Sequence, residues 1–408
     1  MGTLGIGTLA LVTTLAVVAP IIAHLLRRFL VPVVVVEIVL GIVVGPQVLG
    51  WTSQSTVLDS LAEFGLAFLM FLVGYEINFA RVRGRPLLLG TVGWLLSLVL
   101  ALGIGTALVS GGLVRDRMIV GLALTSTALG TILPSLRDAR VTETRFGGYV
   151  LAAGTLGEFG PIVAMAILLV NGSPLETVLL LVGFVVVAVG ASVVALQERP
   201  PAVVDLLRRN LNTSAQLPVR ISVMLIMLLI YLASILNLST LLGAFAAGIV
   251  VRLFTTGDDA GIIRTKLEAI GYGLLVPIFF ITTGIDFDLD ALTRHWTNLW
   301  RMLAFLLLML VARGLPALVL YRRDLRPAER ASLGLFSATG LPLVVVVVSL
   351  GLATGRIRPD NAASLVAAGL LSVLVFPSLG LLLARHSGDA VGADGSIDSA
   401  RAGFGDDA

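Results

Sequence analysis

Thirteen apolar runs, most of them close to twenty residues long, fill the chain between residues 4 and 384. A helix rises ~1.5 Å per residue, so ~20 apolar residues cross a hydrocarbon core ~30 Å thick. In lipid every backbone N–H and C=O has to be satisfied within the protein, which leaves only helices and closed barrels. Barrel strands read as alternating segments of ~10 residues, and these runs do not alternate. The fold class is therefore an all-α polytopic membrane protein with about 13 transmembrane helices. They are expected at 4–26, 30–45, 57–77, 86–109, 117–136, 146–169, 174–196, 219–236, 239–254, 268–285, 297–320, 331–354 and 361–384. Charge agrees, because only 13% of residues are Asp, Glu, Lys or Arg, where a soluble domain carries about 25%. Segment 197–218 reads as a polar connector. The tail 385–408, rich in Gly, Ala, Asp and Ser, reads as disordered and cytoplasmic. No cleavable signal is expected, since Met1 to Gly7 has no basic stretch and the first run is long enough to span.

The basic residues orient the spans. With the N-terminus outside, 21 of the 28 Lys and Arg fall in inner loops and the inner tail, and 6 fall in outer loops. The positive-inside rule then predicts a multi-pass protein of the plasma (inner) membrane, N-terminus out and C-terminus cytoplasmic. The remaining basic residue, Arg313, lies inside a span.

An internal repeat sharpens the picture. "FLMFLVGYEINF" in the third span resembles "PIFFITTGIDFD" in the tenth, pairing Gly74 with Gly284 and Glu76 with Asp286. "STALGTILP" from Ser126 loosely matches "SATGLPLVV" from Ser337, at nearly the same offset. That offset is seven spans, an odd number, so the two copies run in opposite directions across the bilayer. Inverted repeats mark secondary transporters. The matched fifth and twelfth spans are also both interrupted near mid-depth. One holds Thr125, Ser126 and Thr127, then Gly130 and Pro134. The other holds Ser337, Thr339, Gly340 and Pro342. Irregular backbone at this depth survives only where protein or a water-filled cavity satisfies it. Two crossed discontinuous helices are predicted, with a binding site at their crossing.

Glu158 is the residue such a site would use. It lies about a dozen residues from either end of the sixth span, ~18 Å deep from each side. An ionised acid there costs ~2.5–3.5 kcal/mol even on lenient insertion scales. Burial favours the protonated form and a nearby cation favours the carboxylate, so the group suits exchange of a proton for a metal cation. Carboxylate, hydroxyl and carbonyl oxygens are ligands for hard cations. Thr125, Ser126, Thr127 and freed carbonyls of the broken span could complete the shell around a transported Na⁺ or K⁺. The plainer alternative is a protonated Glu hydrogen-bonded between helices. Arg313 sits ~12 Å deep, more than snorkelling recovers, and needs compensation. Glu158 is a natural partner, and carbonyls of a broken helix are another. Glu37 is a further acid within a span, the second, and could belong to a pathway or to packing.

Other chemistry finds no support. There is no cysteine, hence neither disulfide nor thiolate metal site. No G-x-G-x-x-G follows a predicted strand and no phosphate loop occurs, so neither a cofactor nor a nucleotide-binding domain is expected in this chain. The basic residues are scattered, which argues against nucleic acid. No nucleophile–base pair suggests an enzyme.

At these residues a family resemblance emerges. "LVPVVVVEIVLGIVVGPQVLGW" (30–51), "LALTSTALGTILPSLRDA" (122–139) and "PIFFITTGIDFDL" (277–289) are similar to blocks of the monovalent cation–proton antiporters, specifically the second branch with bacterial sodium/proton and potassium/proton exchangers. The resemblance implies a homodimer and an elevator-type motion. It implies a dimerisation panel at 1–80 and 219–290, an ion-transport core at 86–169 and 296–384, and a linking helix at 174–196. By the same resemblance Glu158 takes the place of the ion-binding Asp. Gly157 stands where Asp, Asn or Gln is usual, and Arg313 where Lys or Arg is common. The implied function is exchange of Na⁺ or K⁺ for H⁺, and with one carboxylate at 157/158 the simplest exchange is one for one. Two other functions use the same residues. One is organic-anion transport with Arg313 on the anion, and the other is a membrane sensor that lost exchange, to which Gly157 would be the clue.

Overall fold

The computed structural model describes residues 3–26, 31–52, 56–76, 84–168, 183, 190, 216–236, 238–255 and 259–392, and every regular element among them is helical. In chain order these are α1 (Thr3–Leu25), α2 (Val33–Val44), α3 (Thr56–Glu76), α4 (Arg85–Ser110), α5 (Arg117–Thr125), α6 (Leu129–Asp138) and α7 (Arg145–Leu168). Then follow α8 (Leu217–Ile235), α9 (Thr240–Phe254), α10 (Asp259–Ile270), α11 (Val276–Ile285) and α12 (Leu289–Thr293). The last are α13 (Trp296–Leu320), α14 (Pro327–Ala338), α15 (Pro342–Ala353) and α16 (Pro359–Gly392). Among the described residues nine spans are long and apolar enough to cross a membrane, counting α14 and α15 as one. Shorter apolar helices at Val33–Val44, Arg117–Leu133 and Thr240–Leu253 accompany them. The expected span 174–196 falls almost wholly outside the described residues, as does the connector 197–218 save Gln216, Leu217 and Pro218.

Two boundaries differ from the sequence reading. The tenth span, expected from 268, is helical from Asp259, with a π turn at Gly271–Leu275. The wide turn falls just before Pro277, whose ring and missing N–H disrupt the i→i−4 ladder. The last helix runs to Gly392, eight residues into the expected tail. Residues 393–408 lie outside the described residues.

The chain divides into two compact units, one of residues 1–79 and 162–290, the other of 80–161 and 291–408. In the first, backbones meet directly at glycines. A Cβ on Gly74 of α3 would collide with the Phe245 carbonyl of α9, and one on Gly248 with the Phe71 carbonyl. Gly41 of α2 abuts the Ile281 carbonyl of α11, and Gly284 abuts the Ile38 carbonyl. In lipid, where apolar burial does not drive association, such close packing holds helices together. Gly74 and Gly284, paired by the repeat, thus both mark contacts where helix backbones touch.

In the second unit α13 packs on α14, α16, α4 and α5, and α16 on α14 and α15. A polar corner ties three helix ends. Arg85 donates to both Asp324 oxygens, at 2.5 and 2.9 Å, and the Tyr149 hydroxyl donates to Asp324 Oδ1 at 3.1 Å. The Arg85 hydrogen bonds hold the Asp324 carboxyl below the usual carboxylate range. A carboxyl whose folded-state pKa is depressed stabilises the fold above its unfolded value, ~4, and loses that contribution as pH falls through the lower, folded value. Asp324→Asn is expected to melt earlier than wild type at pH 7, with the gap closing below pH ~4. Thermal melts in detergent across pH check this.

Candidate functional site

The second unit contains two helix breaks, and each is built from side chains that replace lost ladder bonds. α5 ends at Thr125. The Thr125 and Ser126 hydroxyls donate back to the Leu122 and Ala123 carbonyls, both at 2.9 Å. The chain is then irregular over Ser126, Thr127 and Ala128 before α6 starts at Leu129. The second break covers Thr339, Gly340 and Leu341. There the Thr339 hydroxyl donates to the Leu335 carbonyl at 3.0 Å. Pro342 opens α15, where its missing N–H leaves nothing unsatisfied.

The breaks cross in contact. Ala128 N–H donates to the Thr339 carbonyl at 2.7 Å, and the Thr127 hydroxyl to the Ser337 carbonyl at 2.6 Å. A Cβ on Gly340 would stand 2.8 Å from both the Ser126 carbonyl and hydroxyl oxygens. Side chains at this position would push the two breaks apart. Thr125, Ser126, Thr127 and Thr339 are all at or near zero exposure.

α7 brings the acid to this crossing. Thr127 N–H donates to the Gly157 carbonyl at 2.8 Å, and the next residue is Glu158, buried at 7% exposure. The helix can come this close because it carries glycine every third residue. A Cβ on Gly154 would meet Leu129, one on Gly157 would meet Thr127 Oγ1 and Arg313 Nη2, and one on Gly160 the Trp94 ring.

α13 supplies Arg313, 4% exposed. Its Nε donates to the Ser337 carbonyl at 3.2 Å, and its Nη2 to Thr127 Oγ1 at 2.9 Å and the Ala153 carbonyl at 3.2 Å. Its Nη1 reaches Ser97 Oγ at 3.4 Å. All four acceptors are neutral, and Glu158 is not among them. Ser337 lies in the last turn of α14, so the cation stands at the negative end of that helix dipole. Of these acceptors only the Ser337 carbonyl is the carbonyl of a broken helix; the Ala153 carbonyl lies on α7, and the Ser97 and Thr127 acceptors are hydroxyls.

Most of the expected residues converge, with three exceptions in placement. Gly130 and Pro134 lie inside α6 rather than in the break, since the tie from Ala128 to Thr339 sets where the helix resumes. Glu37 is buried on α2 in the first unit, whereas Glu158 belongs to the second. Ser97 and Ser372 were not foreseen. The Ser372 hydroxyl on α16 contacts both polar groups of Gly340. A lone Ser in an apolar span reads as a hydroxyl bonded back onto its own helix, so no signal singled them out. The G-x-x-G-x-x-G spacing around Glu158 was a legible signal for close approach that the sequence reading passed over.

Among the described residues no three His, Asp or Glu side chains gather as a metal cluster. The crossing presents neutral hydroxyl and carbonyl oxygens. Thr125 and Ser126 have already given their protons to carbonyls, so their lone pairs remain available.

Comparison with known proteins places the chain. The profile of the sodium/hydrogen exchanger transmembrane family matches residues 13–383. The Na(+)/H(+)-K(+) antiporter GerN of Bacillus cereus is 25% identical over 85% of this chain and 89% of its own. The Na(+)/H(+) antiporter of Enterococcus hirae is 24% identical over 87% and 92%. YjbQ of Bacillus subtilis is 24% identical over 91% of this chain, which spans 62% of that longer protein. Among solved structures, the sodium proton antiporter MjNhaP1 of Methanocaldococcus jannaschii shares the fold, with a TM-score of 0.67 at 18% identity over 93% of this chain and 98% of its own. With its helical architecture and a family match across nearly all of its apolar helices, this multi-pass membrane protein belongs to the sodium/hydrogen exchanger family.

Proposed function

We propose that the chain exchanges a monovalent cation, Na⁺ or K⁺, for a proton across the membrane. The observation that carries this is the buried Glu158 beside the Thr127–Gly157 tie at the crossing of two broken helices. Glu158 is the titrating group. It holds either a proton or a dehydrated cation, and in this reading the Thr125 and Ser126 oxygens replace part of the cation's water. Arg313 stays charged and offsets the helix termini, without joining the exchange. A carrier that alternates between one proton and one monovalent cation moves no net charge, so exchange is one for one and electroneutral. GerN, a named Na⁺/H⁺-K⁺ antiporter, supports keeping both ions as substrates.

In this reading the second unit is the moving core and the first, with its glycine-packed helices, the panel of a homodimer. The core carries the site between the two faces of the membrane by an elevator motion. The loop charges support N-terminus out and C-terminus in.

The test is relaxation of a pH gradient in proteoliposomes on addition of Na⁺, K⁺ or Li⁺. Wild type is expected to collapse the gradient with Na⁺ or K⁺, at a rate unchanged when a potential is clamped with valinomycin and K⁺. Flux scaling with the imposed voltage would overturn electroneutrality, and no cation response at all would overturn exchange.

A further inference from the structure

The second break is held from behind by α16. Gly340 N–H donates to Ser372 Oγ at 3.1 Å. The same hydroxyl lies 2.7 Å from the Gly369 carbonyl and 3.2 Å from the Gly340 carbonyl, and divides its single proton between them. One turn away, a Cβ on Gly369 would stand 2.9 Å from the Gly340 carbonyl. Ser372 and Gly369 thus form a shallow cradle, i and i+3 on one helix face, that receives a whole unwound peptide unit. Ser372 has no solvent exposure, so no water stands ready to replace its hydroxyl. On its other side Gly340 abuts Ser126, which belongs to the break at the cation site.

We propose that Ser372 is a positioning residue for cation binding: by fixing the Gly340 peptide it sets where Ser126 and the first break stand. This rests on the exchange function proposed above. A buried N–H that loses its only acceptor turns toward another. If Gly340 rotates to find one, the contact with Ser126 is lost or strained, and the oxygens around the cation move. Tightly packed, bistable interiors pass such shifts on rather than absorbing them. The cation is held by few oxygens, so affinity is the quantity that suffers. Ser372 and Gly340 lie in the same compact unit, so in the proposed motion they travel together and turnover at saturating cation is kept.

The experiment measures Na⁺-dependent proton efflux in proteoliposomes over a range of Na⁺ concentrations, for Ser372→Ala, Ser372→Thr and Ser332→Ala. Ser332 is the control. Its hydroxyl donates to the Gly380 carbonyl at 2.7 Å, tying α14 to α16 away from the break. Ser372→Ala is expected to raise the apparent KM for Na⁺ at least roughly fivefold with kcat within about twofold of wild type. Ser372→Thr, which keeps the hydroxyl, should restore wild-type KM, and Ser332→Ala should lower thermal stability without moving KM. If the Ala variant does not fold, the nearly isosteric Ser372→Cys, a poor acceptor, is expected to shift KM in the same direction. An unchanged KM in the folded Ala or Cys variant, or an equal KM shift in Ser332→Ala, overturns the proposal. Absence of Na⁺-dependent efflux in wild type is a separate result and overturns the exchange reading instead.

Discussion

Glu158→Gln will lower cation-driven proton release to the level of protein-free vesicles. The substitution keeps the volume of the side chain and its hydrogen-bonding oxygen, and removes only the ability to lose a proton and become anionic. Under the proposed mechanism no other residue described at the crossing can take that role. The nearby hydroxyls do not ionise, and Arg313 cannot lose its proton in a protein. Folding should not suffer. An ionised carboxylate deep in the apolar interior is unfavourable, and a neutral amide of the same shape relieves that. The variant should therefore melt at or above the wild-type temperature while losing transport. Ligand linkage supplies a second readout. A cation that binds only the folded state stabilises it by ~2.7 kcal/mol at a hundred times its Kd. Wild type is expected to gain thermal stability with Na⁺, and Glu158→Gln to gain none. Because proton and cation exclude each other, the wild-type gain should also shrink as the pH falls below the apparent pKa of the site. A variant that still released protons on Na⁺ addition would place the carrier at another residue, and Glu37 would be the next to test.

Much of this site was legible in the sequence because lipid makes polar groups conspicuous. Twenty apolar residues with one acid, or one arginine in an otherwise apolar span, stand out against a medium that penalises both. The breaks were legible for a similar reason, since Gly, Pro and clustered hydroxyls weaken a helix that nothing else would interrupt. What the residues did not carry was where each break falls. Gly130 and Pro134 looked like part of the first interruption, yet α6 absorbs both. The actual limit is set by Ala128 reaching the Thr339 carbonyl, 211 residues away in the chain, and no local pattern records such a contact. The partners of Arg313 were hidden in the same way. Two are carbonyls, of Ser337 and Ala153, which any residue could provide. Ser97 had a second disguise, because its hydroxyl also donates to the Gly93 carbonyl of its own helix at 2.9 Å. This is the ordinary behaviour of a serine in an apolar helix.

Gly157→Ala is the second large effect, and it runs against the resemblance. The resemblance implies Asp, Asn or Gln at this position, so adding a side chain there would be expected to restore something. The geometry gives the opposite result. The volume a Cβ would fill is already taken by Thr127, both Oγ1 and Cβ, and by Nη2 of Arg313. Neither neighbour is free to yield. Thr127 is held through its N–H to the Gly157 carbonyl and its hydroxyl to Ser337. The guanidinium is held by Thr127, Ala153, Ser97 and Ser337. Overpacking of this kind costs ~1–3 kcal/mol, and here the strain is released by moving the oxygens that define the crossing. Transport should fall on the order of tenfold to a hundredfold, and Gly157→Asn should fall further because its amide needs still more room. Gly160→Ala separates site from packing. Its Cβ would meet the Trp94 ring, so it strains the same helix without touching Thr127 or Arg313, and should lower stability more than cation affinity. Full activity in Gly157→Ala would show that Thr127 and Arg313 swing aside freely. The close packing of Thr127 and Arg313 against Gly157 would then be dispensable for transport.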